Sequence, residues 1–493
     1  MDKTVKIGWS EVSITPDKPI YLAGQFYERV SQYVETPITV TAMAIEASGD
    51  QAVICSVDIE SVDPVLPAGV RANVAAANIG LDPAKIIFAA THSHTSFVYE
   101  GSHDSGLGAL AKYLGAEESP ENTAVVRDDV MSPAEATAFL IERLTEAVIT
   151  AWTTRAPGAY APGFGRAAVG MNRRVCYADG TAKMWGDTNT PDFTMLEGGN
   201  DNGIELLFTY DADGALTGVV ANIACPAQVM EQRYLISADY WGKVKILLRR
   251  ELGEDLKVLG LCSPAGDQCP RDLVRWVEPE TPIEDPNVIR VNPPIRRADP
   301  SMFDIKGTWT IGRRIASEIL AVLDETEERF SEAEFIHHAY TLDLPLRTVT
   351  EEENAAARAE LAKFAAEHAN DNIKASDSAA MHVYAGTAAR YDRQQTESVV
   401  PCPVHFLRLG DIALATSPFE LFLDFANLIR ARSAAKQTFL LQLTDDSKGY
   451  LPTAKAEAGG HYSAYVSSGH VGHVGGLELA KITLDEIADM FAE

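Results

Sequence analysis

The chain has 493 residues, 46% of them hydrophobic, and carries 70 acidic against 42 basic side chains for a net charge of -28. That length buries a large core, in one elaborate domain or in two to three ordinary ones. The acidity repels phosphate backbones and anionic headgroups, which argues against nucleic acid or a membrane surface as partner and is otherwise that of a well-solvated surface.

The opening MDKTVKIGWSEVSITP lacks an apolar signal core and a small-residue cleavage site, and no later run approaches the ~20 apolar residues of a membrane span. A cytoplasmic protein is the expectation. The cysteines Cys55, Cys176, Cys225, Cys262, Cys269 and Cys402 are sparse and irregularly spaced, without a CxxC pair, and read as reduced thiols. In chain order, residues 38–47 and 51–61 run apolar or alternate as strands do, 66–80 predicts a helix, and 83–95 predicts a strand that ends on His92 and His94. Residues 132–152 predict a helix with Ser132 as its N-cap. Three hairpins follow, in VCYADGTAKMW, LLFTYDADGALTGVVANIAC and VHFLRLGDIALAT, each turning at Asp-Gly or Gly-Asp between apolar arms. Further helices are predicted at 242–252, 311–330 and 350–369. The fold class is therefore mixed α/β.

Two segments, at about 98–131 and 273–307, fit neither period. Both follow candidate chemical motifs directly, as lids and substrate-binding loops do. They are charged, the first through Glu117, Glu118, Asp128 and Asp129, the second through Arg290, Arg296 and Arg297.

On an extended strand, residues two apart share a face, so His92 and His94 can converge on one metal ion or one substrate. Imidazole nitrogen suits zinc, although two histidines alone also serve as ordinary hydrogen-bonding groups. Further along stand ISADYWGKV, PAGDQCPRD, SPFELFLDFANLIR and LTDDSKGYLPTAKAEAGGHYSAYVSSGHVGHVGG. Together with IGWSEVSITPDKPIYLAGQ, ATHSHTS and GMNRR, and in this order, these motifs resemble the neutral/alkaline ceramidase family of zinc amidases. The islands run from about residue 7 to 477, nearly the whole chain.

The resemblance implies stacked mixed sheets flanked by helices and a bound Zn2+. It places the first zinc histidine on His92, a neighbouring proton-carrying histidine on His94, the zinc glutamate on Glu420 and the metal-binding tyrosine on Tyr450. An oxyanion-facing tyrosine falls on Tyr462, at the family's spacing from Tyr450, and the active-site arginine on Arg173. Residues 1–335 would form the catalytic core and 336–493 complete the same domain, without a separate C-terminal β-domain.

Two positions depart from the pattern. Cys225, in IACPAQVME, stands where the family has its second zinc histidine, and is either a replacement ligand or a small buried hydrophobe. Cys269 stands where the family has its serine in Gly-Asp-x-Ser-Pro-Asn; nucleophile, spectator to a metal-activated water and metal ligand are its three open roles. Asp239, Asp267, Asp58 and Glu60 are each as fit to cap loops or orient a histidine as to touch substrate. His337 and His338 read as structural, and His461, His470 and His473 as loop residues beside Tyr462.

The charged insertions and the missing export signal suit a long amphiphile such as ceramide poorly. The expectation is a zinc-dependent hydrolase of an amide or related bond in a small polar substrate, possible as a homo-oligomer. Two rival readings remain open, a metal-dependent hydrolase or lyase of a sugar-derived molecule and a metal-free binding protein on the same scaffold.

Overall fold

A computed structural model describes residues 2–25, 27–101, 129–277, 297–299, 301–367 and 375–492. The apolar runs of the N-terminal two thirds pair into one eight-stranded sheet. Its strands are β1 (Lys6–Ser13), β2 (Thr39–Ala47), β3 (Asp50–Val57), β4 (Ile86–Ala90), β5 (Ala156–Arg166), β6 (Gly203–Asp211), β7 (Leu216–Ile223) and β8 (Lys257–Cys262). The order is β8-β7-β6-β5-β1-β2-β3-β4. Neighbours are antiparallel except at the two edges, where β7 and β8, and β3 and β4, run parallel. A second, four-stranded sheet holds β9 (Phe335–Pro345), β10 (Val399–Leu409), β11 (Ile412–Thr416) and β12 (Gln437–Leu441) in that order, with β11 and β12 parallel.

The two sheets stack face to face. Alternate residues of the first sheet (Met43, Ile54, Ile87, Leu207, Leu259) meet Leu407, Leu414 and Phe439 of the second in one buried cluster. The intervening residues point the other way: Val40, Ala42 and Phe88 pack under α1 (Val65–Ala77) and α2 (Pro133–Thr153). Leu206, Phe208 and Val219 pack under α3 (Asp239–Leu252) and α4 (Asp304–Glu325). Strands covered on both faces show continuous apolar runs rather than clean alternation, which is what the sequence displays here. The outer face of the second sheet is covered by α7 (Leu423–Arg432) and α9 (His473–Ala492); α5 (Glu351–Glu367) and α6 (Ala375–Arg393) pair beside it, and α8 (Ala454–Gly459) is a single short turn.

The architecture is thus the expected mixed α/β arrangement of stacked sheets flanked by helices. The three Asp-Gly or Gly-Asp hairpins form as read, and Ser132 closes a full capping box with Glu135. Other boundaries differ. α4 starts at Asp304, inside the segment read as an insertion, and α6, α7 and α9 were not anticipated. Residues 102–128 and 278–296, with Glu117, Glu118, Asp128, Arg290 and Arg296, lie outside the described residues.

The three parallel pairs of the two main sheets matter most, because their carboxyl ends meet. Residues at or just past the ends of β4, β7, β8 and β12 bond to one another: Ala90 N–H to Leu443 O, Ala227 N–H to Thr91 O, and Gln442 N–H to Cys262 O. Carboxyl ends of parallel strands are where α/β sheets place their ligands.

Candidate active site

His92 lies two residues beyond β4 and leaves the strand in a left-handed turn, with φ 61°. This corrects the sequence reading, in which the strand's own alternation brings the two histidines together. The turn is stitched to the neighbouring strand end by Thr91 N–H to Val57 O and Ser93 N–H to Ile59 O. The hydroxyls of Ser93 and Thr95 both donate to Ser237 O, at 3.0 and 2.8 Å. The small polar residues of THSHTS therefore hold a strained loop in place, a conformation that survives only when its surroundings over-determine it. Gly24 completes the cradle: a Cβ there would sit 2.5 Å from the His94 ring.

His92 Nδ1 is 2.7 Å from Glu60 O, which leaves Nε2 aimed into the site. His94 Nε2 is 3.2 Å from it and a Glu420 oxygen 3.5 Å. Glu420 and Tyr450 are register partners in a two-residue parallel ladder formed by the chain beyond β11 and beyond β12, so one carboxylate and one phenol arrive together. The loop over them needs Gly266, where a Cβ would meet Glu420 O at 2.3 Å. Arg173, buried, donates to Gly266 O at 3.0 Å and to the Tyr450 hydroxyl at 3.3 Å, and lies 3.9 Å from Glu420. The rings of Tyr450 and Tyr462 meet edge to face with centroids 5.5 Å apart. Arg174, the second arginine of GMNRR, is a staple: it pairs with Glu197 and donates to Tyr462 O at 3.0 Å.

Burial pushes the Glu420 carboxyl up, but His92, Arg173 and the Tyr450 hydroxyl outweigh it and hold the acid below its usual range. Burial, with Glu420 adding to it, raises both phenols, Tyr462 to about 12. The guanidinium of Arg173 keeps its proton more firmly than usual, since Tyr450 and Glu420 overcome its burial.

Among the described residues, one group of three metal-type side chains has its ligand atoms within 4.8 Å of one another: Glu60, His92 and His94. Cys225 is not in it. Its fully buried thiol faces Val169 O at 3.5 Å and Pro226 O at 3.8 Å, and burial holds its pKa far above the usual thiol value. Cys269 pairs through its backbone with Met171, and its thiol donates to Arg271 O at 3.3 Å.

Asp267 accepts from Asn172 Nδ2 and from Leu423 N–H at the start of α7, and Asp239 accepts from Met230 and Tyr240 N–H; both are structural. Asp58 is turned to Thr39 and Lys245, away from the imidazoles that Glu60 approaches. His337 is buried against His405, and His338 pairs with Glu486. His461 accepts from Met184 N–H, His470 binds Arg393, and His473 starts α9 against Glu457.

Three site residues escaped the sequence reading. Glu231, six residues past Cys225 in the same loop, puts one oxygen 3.5 Å from His94 Nδ1 and the other 3.5 Å from Arg271. Arg271 occupies the place of the asparagine in the family's serine motif, which was a readable signal. Arg29, 1% exposed, donates to the carbonyls of His94 at 2.9 Å and Glu231 at 2.5 Å, and nothing in its local sequence marks it.

No family model and no curated protein sequence matches the chain. Solved structures do. Neutral ceramidase from Pseudomonas aeruginosa superposes with a TM-score of 0.66 at 16% identity, over 100% of this chain and 75% of its own. The chain has the fold of a neutral ceramidase. A ceramidase structure described as complexed with C2 matches at TM-score 0.64 and 16% identity, covering 98% of this chain and 75% of the other. The expected resemblance thus holds at the level of the neutral ceramidase fold, and among the described residues no helix is long and apolar enough to cross a membrane.

Proposed function

We propose that the chain is a metal-dependent hydrolase, with zinc as the metal, that cleaves an amide or related bond in a small polar substrate. One observation carries this reading: His92 Nε2 lies 3.2 Å from His94 Nε2 and 3.5 Å from a Glu420 oxygen, with Glu60 grouped with the two imidazoles, beside Arg173 and two tyrosines. Tetrahedral zinc with bonds of ~2.0–2.1 Å holds its donors about 3.3 Å apart, and the two distances from His92 Nε2 match that spacing. The proton count fits as well. His92 Nδ1 lies 2.7 Å from Glu60 O and His94 Nδ1 3.5 Å from a Glu231 oxygen; neutral imidazoles protonated on those sides present Nε2 lone pairs to each other at 3.2 Å, a contact that a metal ion or a shared proton would satisfy.

A bound Zn2+ supplies Lewis acidity and an activated water. The chain's own residues do the rest. Tyr450 and Tyr462 keep their protons at neutral pH, and Tyr462 donates to the oxygen that gains charge as the carbonyl is attacked; Arg173 balances that charge. With His94 Nε2 turned to the metal point, the Glu60 carboxylate beside it would be the group to accept a proton from the attacking water. The buried charges of Glu231 and Arg271 lining the same site support a polar substrate over a long acyl chain.

The test is elemental analysis of the purified protein together with hydrolysis of a panel of short N-acyl amides. About one zinc per chain, and turnover that a chelator abolishes and added zinc restores, are expected. Turnover indifferent to metal removal would overturn the reading.

A further inference from the structure

We infer that the metal centre of this chain is rewired: His94, oriented by Glu231, supplies the donor that Cys225 does not. The inference rests on the reading of the site as a metal centre and deepens it.

The motif position at which the family has its second zinc histidine is Cys225, whose thiol faces Val169 O and Pro226 O inside the core. The side chain is 0% exposed and packs in the cluster under α3 and α4. The same loop instead delivers Glu231. Its carboxylate lies 3.5 Å from His94 Nδ1, on the side of the ring opposite the metal point. A carboxylate there favours the tautomer with its proton on Nδ1, directed at the carboxylate, and leaves the Nε2 lone pair as the outward donor, the usual support of a ligating histidine. Glu60 O does the same for His92 from its own Nδ1 side. The two imidazoles are therefore in matching tautomers, with their Nε2 atoms 3.2 Å apart and their rings at 83°.

The spacing of this pair is built in from both ends. Arg29 binds the backbone carbonyls of His94 and Glu231, fixing one against the other, and Asp239 anchors Met230 N–H next to Glu231. Arg271 holds the second Glu231 oxygen at 3.5 Å, so the carboxylate is clamped between a cation and an imidazole. With His94 serving as a donor, proton acceptance falls to Glu60.

Metal titrations of the full-length protein, with zinc and with cobalt, test this. Wild type is expected to bind about one equivalent, and Cys225→Ala to bind it within about threefold. Glu231→Gln, which preserves shape and the approach to Arg271, should weaken binding ~10–100-fold. His94→Gln should weaken it by at least as much. The cobalt form should lack the near-ultraviolet band of a thiolate ligand, and Cys225→Ala should leave its spectrum unchanged. Circular dichroism of each metal-free variant separates lost binding from lost folding. A strong thiolate band, or loss of metal in a folded Cys225→Ala protein, overturns the inference. So does wild-type affinity in Glu231→Gln and His94→Gln, and in those cases the hydrolase reading stands. A wild type that takes up neither metal removes that reading as well.

Discussion

In the proposed reaction Tyr462 donates its hydroxyl proton in a hydrogen bond, and its surroundings keep that proton on. Burial and Glu420 push the phenol up to about 12, with Tyr450 and Arg173 pulling back. Tyr462→Phe should therefore lower kcat by ~10²-fold with KM little changed, the signature of a lost oxyanion donor, and equal losses in binding and turnover would argue against that role. Cys269 is the opposite case. Burial lifts its thiol to about 11 against the pull of Arg173, which keeps the thiol protonated at neutral pH. With a metal-activated water as nucleophile, Cys269→Ala keeps turnover within roughly threefold and iodoacetamide reacts slowly. A covalent acyl adduct on Cys269, seen by intact mass after quenching with substrate, would reverse this assignment.

At the scale of elements, the site depends on how α6 and the loop before α9 lock onto the second sheet. His470 joins them: its Nδ1 accepts from Arg393 at 3.0 Å and its N–H bonds Lys448 O. Burial first, then Arg390, Arg393 and Lys448, hold the imidazole down to about 3. The unfolded chain takes up a proton below about 6.5 that the native His470 refuses, so its contribution falls as pH drops from 6.5 toward 3. His337, depressed in the same direction by burial and His405, adds to this loss. Asp239 and Asp267, raised by burial to about 7 and 6, act oppositely over the same range, so the total slope mixes signs. The His470 share is isolated by His470→Gln, which keeps an acceptor for Arg393. Urea midpoints should show wild type losing ground to the variant between pH 7.5 and 5, and parallel curves would exclude the coupling.

The whole molecule is held together by the face between its two sheets. Met43, Ile87, Leu207 and Leu259 from the first half lie against Leu407, Leu414 and Phe439 from the second. Cutting at residue 335 bares that face and removes Glu420, Tyr450 and Tyr462 from a site whose histidines remain. Exposed apolar surface on this scale drives aggregation, so a fragment of residues 1–335 should be insoluble or fail to bind metal. A monodisperse, metal-binding fragment would show two independent domains. The proposed metal would take donors from both halves, so a chelator is expected to lower the melting temperature, because a ligand bound by the native state alone stabilises it.

Composition, periodicity and turn chemistry by themselves determined the mixed α/β class, the three hairpins and the capping of α2 at Ser132, while the candidate site residues were read from the motifs' resemblance to a family. Those features are local, since strand alternation, turn chemistry and capping act within a few residues. Helix α9 was hidden because Gly475 and Gly476 weaken the helical signal, and its stability comes from packing on the second sheet. Tertiary structure alone decided which groups meet. Glu420 reaches Tyr450 through a parallel ladder, and Glu231 reaches His94 through a loop clamped by Arg29. Cys225 and Glu231 lie in one loop, and only its path, with the thiol turned into the core and the carboxylate toward His94, settles which of them faces the site. Such contacts join residues far apart in the chain through the packing of two sheets, and no periodicity along the sequence records them.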